Sequence, residues 1–122
     1  MYIIHSVIKS AWEEAKQQGV YGRYSLDKFG FIHCSEIDTY EFVAPNFKDL
    51  KEEMVLLVIN TDKVKPEIKW EDLRDCGVKY PHIYGLLNLD AVVDVLPHLW
   101  TDYKVWIVNE ELKEYQKQNE KR

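Results

Sequence analysis

Three of the four histidines fall inside short apolar stretches: His5 in YIIHSV, His33 in GFIHCS and His82 in YPHIYG. An imidazole titrates near neutrality, so it can accept, donate or relay a proton, or ligate a metal. Side chains alternate between two faces along a strand. As a strand, GFIHCS places His33 on the face of Phe31 and Ser35, with Ile32 and Cys34 opposite. YPHIYG places His82 with Tyr80 and Tyr84, and turns Ile83 away. His5 shares a face with Ile3 and opposes Tyr2, Ile4 and Ser6. This pattern sends Ile32, Cys34 and Ile83 to the core and gathers His5, His33 and His82 into one pocket. A lone strand histidine is most often a surface or hydrogen-bonded core residue; three on separate strands, two of them beside hydroxyl-bearing neighbours, weigh towards a site. His98, in LPHLW, reads as structural. Cys34 faces away from His33, so it reads as a small buried hydrophobe and not as a nucleophile.

Other chemistries can be weighed by spacing. A tight metal site favours HxH or HxxxH pairs or carboxylates close by. The chain has no such pair, although three separate strands remain able to supply three ligands. A phosphoesterase with two HxT or HxS motifs is half matched: His33-Cys34-Ser35 fits and His5-Ser6-Val7 does not. Arg23, in a glycine-containing segment, and Arg74, in LRDCG, are candidates to hold a phosphate. Glu71 follows Trp70, so with Trp70 packed inward Glu71 is expected to face solvent.

The elements that must position these groups are legible from pattern. Residues 2–6 read as an opening strand. Ser10 with Glu13 three residues on reads as a capping box for a helix that Gly19 ends. Residues 20–30 read as a loop, 30–34 as a second strand, and Ser35 as the N-cap of a helix running through Tyr40 and Phe42 to Pro45. A further helical turn is expected within FKDLKEE. The apolar run 54–61 is the central buried strand. Strands are also expected at 67–73, 80–87, 89–97 and 103–109. A charged C-terminal helix spans 110–122. Helices early and strands late give an α+β class in one domain over 1–122.

Composition narrows the partners. The 122 residues carry a net charge of −5 and include three arginines, Arg23, Arg74 and Arg122. That balance argues against nucleic-acid binding, which rests on Lys and Arg contacts to phosphates. No apolar run approaches the length of a membrane span. The start, MYIIHSVIKSAWEEA, lacks a basic leader and a long apolar run, so a cytoplasmic protein is expected. The cysteines, Cys34 and Cys76, make no metal-like or disulfide spacing, and a chain of this size needs neither for stability.

Taken in order, YIIHSV, GFIHCS, MVLLVIN, the KWE step, and PHIYG followed by LDAVVDVLP resemble the bacterial family known as domain of unknown function 952. The resemblance covers the chain to about Leu99, and GFIHCS and PHIYG are its more specific motifs. It implies an ADP-ribosyltransferase-like fold, two small, mostly antiparallel sheets around a cleft. It also implies NAD or a related nucleotide as substrate, with no other cofactor required. His5 resembles a histidine that bonds a ribose, and His33 with Ser35 resembles a pair flanking nicotinamide. His82 stands on the strand that in the wider superfamily often carries a glutamate. Tyr80, Tyr84 and Arg23 complete the expected surroundings. Two alternatives stay open: a binding module without turnover, and a metal-dependent hydrolase using the three histidines.

Overall fold

The computed structural model describes residues 1–121. Strand β1 (Tyr2–Ile8) runs directly into helix α1 (Lys9–Gln18). Then follow β2 (Val20–Tyr21), α2 (Arg23–Phe29), β3 (Ile32–His33) and β4 (Ser35–Glu36). Two 3-10 segments, Ile37–Phe42 and Ala44–Phe47, lead to β5 (Met54–Asn60). After β6 (Glu67–Glu71) and β7 (Tyr80–Tyr84) come β8 (Leu87–Asn88) and β9 (Val92–Pro97). The chain closes with β10 (Leu99–Trp100), β11 (Trp106–Ile107) and α3 (Glu110–Glu120). The class is α+β, built from small antiparallel sheets. No helix among the described residues is long and apolar enough to cross a membrane.

The central sheet has the order β4-β1-β5-β9. In β5, MVLLVIN, six residues from Met54 to Ile59 are buried, so the strand has apolar residues on both faces and needs a cover on each. One face, with Ile3, Val7, Val55, Leu57 and Ile59, packs against α1 through Trp12 and Ala15 and against Ile32 and Ile83. The other, with Ile4, Leu56 and Val58, packs against Ile37, Tyr40, Ala44 and Leu112. The first cover is a second sheet of order β3-β7-β6. Its inward row is Ile32, Ile83 and Ile68, paired across the strands, and its outward row is His33, His82 and Lys69.

Several expected boundaries move, each for a local reason. Ser10 is not a cap: β1 stays paired to β5 as far as Ile8 and Met54, so the helix starts at Lys9 with Ile8 before it. The expected loop 20–30 is instead β2 and α2, because Gly22 and Gly30 are in left-handed conformations that flank a short helix. Ser35 begins a strand: the chain crosses at Cys34 from the three-stranded to the central sheet, where Ser35 pairs with Ile4. The helix expected after it is the pair of 3-10 segments, with Pro45 inside the second and not at the end of the first. No helix forms in 48–53. The 80–87 strand splits at Gly85, where a Cβ would stand 2.8 Å from Pro66 Cβ, and β8 turns away to pair with β2. Leu89–Ala91 is a 3-10 turn ahead of β9. Of 103–109 only Trp106–Ile107 is strand, since a turn with Lys104 at φ 62° precedes it. The expected helix 110–122 is α3, and Arg122 lies outside the described residues.

Gly22 fixes the seat of β3. Its φ is 115°, and an added Cβ would lie 2.4 Å from Ile32 Cδ1. At Gly19, with φ 82°, a Cβ would meet nothing within 4 Å. Gly19→Ala therefore costs backbone strain alone, about 1 kcal/mol. Gly22→Ala adds a core clash and costs about 3 kcal/mol. Urea midpoints of the two variants measure the difference, and equal losses would contradict this packing.

Candidate functional site

The three histidines do not share a face. His5 points into the core between the two sheets, buried with 8% of its surface exposed. Its Nδ1 meets the His33 carbonyl oxygen, which can only accept, so Nδ1 carries the proton. Nε2 therefore has the lone pair and takes a bond of 2.6 Å from the Tyr21 hydroxyl. With both nitrogens engaged and burial pushing its pKa down to about 4, His5 is a neutral pin that holds β3 from behind.

In front stand His33 and His82. The Cys34 amide donates to the Pro81 carbonyl at 3.0 Å, so His33 and His82 form a non-hydrogen-bonded cross-strand pair, the kind with the closer side chains. Their ring centroids are 5.6 Å apart. Phe31 stacks on His82 at 4.2 Å, and Phe29 and Phe31 flank His33 at 4.8 and 4.6 Å. His33 is exposed, and its pKa is lowered, first by partial burial and then by the electrostatic influence of neighbouring His82 and Arg74.

Glu71, on the neighbouring strand β6, completes the group. Its Oε1 accepts from His82 Nδ1 at 3.0 Å and from the Tyr84 hydroxyl at 2.6 Å. The Tyr84 bond first, and the His82 bond second, hold the Glu71 carboxyl below its ordinary range. An ionised carboxylate only accepts, so Nδ1 of His82 is the donor, and a neutral His82 ring, 5% exposed beneath Phe31, keeps its lone pair on Nε2. Carboxylate, oriented imidazole and free nitrogen make a general acid–base arrangement. Glu71 also raises the pKa of Tyr84, whose ring lies under Lys69 Nζ at 4.6 Å. Tyr80 stands opposite Glu71 in register, with burial as the first cause of its raised pKa.

Of the expected site residues, the fold brings His33, His82, Tyr80 and Tyr84 to one face. Ser35 is elsewhere, buried at 2% exposure, its hydroxyl donating to the Glu36 carbonyl at 2.7 Å and lying 3.3 Å from Thr39 Oγ1. Arg23 lines a separate cleft of about 350 Å³ beside α1, together with Tyr21. Cys34 is buried, and burial pushes its thiol up. The sequence turns Glu71 outward, opposite Trp70, as the register has it, but Glu71 is not a solvated charge: it bonds to His82 and Tyr84, while Trp70 is 38% exposed at the sheet edge. Alternation in EIKWE carried the correct signal, since it puts Lys69 and Glu71 on one face once β6 pairs with β7. Among the described residues no three His, Cys, Asp or Glu side chains are grouped to hold a metal ion.

His5 and His98 both have pKa values lowered to about 4, with burial the first cause. Unfolding restores an ordinary value near 6.5, so between those values the unfolded chain binds more protons. Stability is therefore full above about pH 7 and falls as pH drops, by up to about 3 kcal/mol for a group this buried. The lowered Glu71 and Asp72 carboxylates act in the same direction at lower pH. Urea midpoints at about pH 7.5 and about pH 5 check this, and His5→Gln should flatten part of the decline. An unchanged midpoint would contradict the buried neutral histidines.

Comparison places the chain among known folds. It superposes on the crystal structure of protein CC0527 from Caulobacter crescentus with a TM-score of 0.78, at 24% identity, covering 93% of this chain and 99% of that one. The solution structure of CC0527 gives a TM-score of 0.71 at 26% identity, covering 85% and 90%. The crystal-structure likeness, at that identity, carries the fold. No curated protein matches. The model of the family described as protein of unknown function DUF952 matches residues 6–95, and the chain belongs to that family.

Proposed function

We propose that the domain binds a small nucleotide-like ligand on the outer face of the β3-β7-β6 sheet and acts on it in the manner of an ADP-ribosyltransferase, with NAD as the candidate substrate. The observation that carries this reading is the Glu71 carboxylate shared by His82 and Tyr84. In the resemblance the third-motif strand often carries a glutamate where this chain has His82; Glu71, on the adjacent strand and bonded to His82, supplies a carboxylate beside it.

The roles follow from donor and acceptor chemistry. Glu71 Oε2 makes no hydrogen bond to the described residues and is available to a ribose hydroxyl. Breaking the nicotinamide–ribose bond sends the bonding electrons to the nicotinamide ring and leaves oxocarbenium character on the ribose, which a fixed carboxylate stabilises. Water then adds to the ribose carbon and gives its proton to His82 Nε2. Phe31 and His33 supply ring surface, and Lys69 and Arg74 supply positive charge for phosphate on a chain that is acidic overall. In this reading His5 positions β3 and does not touch ribose.

The test uses His33→Ala, an exposed site where truncation costs little stability, and Glu71→Gln, which keeps the shape. NAD or ADP-ribose at about a hundred times its dissociation constant should stabilise the wild type by about 2.7 kcal/mol, several degrees in melting temperature. Both variants should lose that shift, and nicotinamide release by the wild type should vanish in Glu71→Gln. A shift without nicotinamide release would reduce the site to a binding module. No shift with either ligand would overturn the nucleotide reading.

A further inference from the structure

On the opposite side of the central sheet lies a cleft of about 440 Å³, within the size range of small-molecule sites. Trp100 and Trp106, directly paired across the β10–β11 ribbon, line it together with Val105. Both rings are braced from behind. Trp100 stacks on His98 at 4.3 Å, and Trp106 meets Tyr40 edge-on at 4.8 Å. The Trp106 indole nitrogen is buried, so the cleft receives that ring's carbon surface and not its donor.

The rim is acidic. In a 3-10 helix residues three apart eclipse one another. Within Ile37–Phe42 this puts Ile37 and Tyr40 together in the core and Asp38 and Glu41 together on the cleft. Asp38 accepts from Gln116 of α3 at 2.7 Å, and Glu41 has no ion pair among the described residues. The one basic side chain of the lining, Lys104, is drawn off to Asp49 at 2.8 Å. Aromatic carbon faces and unneutralised carboxylates together favour a positively charged, weakly hydrated group. An anion would meet the two carboxylates, and a neutral apolar group would leave their charge unused.

We propose that this cleft is a binding site for an organic cation, a quaternary ammonium group seated against Trp100 and Trp106 with Asp38 and Glu41 at its edge. The site is separate from the histidine face and does not depend on the reading given for it.

Choline is the probe, with its neutral isostere 3,3-dimethylbutan-1-ol as control, in a titration of the 15N-labelled protein followed through the indole N–H signals. Trp100→Phe and Trp106→Phe assign those signals. Choline should move the Trp100 and Trp106 signals saturably and leave Trp12 and Trp70 in place. The isostere should bind about tenfold more weakly. The double variant Asp38→Asn, Glu41→Gln should weaken choline by about tenfold with an unchanged melting temperature. Absence of a saturable shift, equal binding of the isostere, or unchanged affinity in the double variant would each overturn the proposal.

Discussion

Burial of β5 on both faces is the constraint from which the rest of the structure follows. A strand reading MVLLVIN cannot leave either side in water, so β1, β4 and β9 extend a sheet around it and two different covers close over that sheet. One cover is mostly helical and ribbon-like, anchored by Tyr40 and Leu112. The other is itself a sheet, three strands wide, whose inner row of isoleucines joins the core. Because side chains alternate, fixing Ile32, Ile68 and Ile83 inward forces His33, Lys69 and His82 outward. The face that carries His33, His82 and Lys69 is thus the reverse side of a packing solution.

That cover must be held in register for its outer face to mean anything. Two contacts from behind do so. His5 donates to the His33 carbonyl and accepts from Tyr21, and Gly22 lets the backbone lie against Ile32. A buried histidine bonded at both nitrogens is a satisfied polar group, and losing either partner would leave a desolvated nitrogen. The same imidazole chemistry therefore appears twice: His5 is bonded at both nitrogens and fixes a strand, while His82 is bonded at Nδ1 to Glu71.

Much of this was legible in the residues. The alternation in GFIHCS and YPHIYG placed Ile32, Cys34 and Ile83 inward and His33, His82, Tyr80 and Tyr84 outward, as the structure has them around β3 and β7. The long-range arrangement was not legible. Nothing local says that the chain changes sheets at Cys34, which separates Ser35 from His33, or that β1 directs His5 behind the second sheet and not onto its face. Glu71 was missed because its outward orientation was equated with solvation, whereas the outer face of the sheet places His82 and Tyr84 where both bond to it. Turn chemistry misled at Gly22 and Gly30, whose left-handed conformations flank a helix in a segment that reads as loop.

Glu71 orients His82, and the tautomer of the His82 ring reports that orientation directly. Long-range 1H–15N NMR of the histidine rings at mildly alkaline pH distinguishes the two nitrogens. His82 should be protonated at Nδ1 with its lone pair on Nε2, and should lose that preference in Glu71→Ala, where no acceptor remains. A His82 ring protonated at Nε2, or a tautomer preference unchanged by Glu71→Ala, would show that Glu71 does not orient the ring.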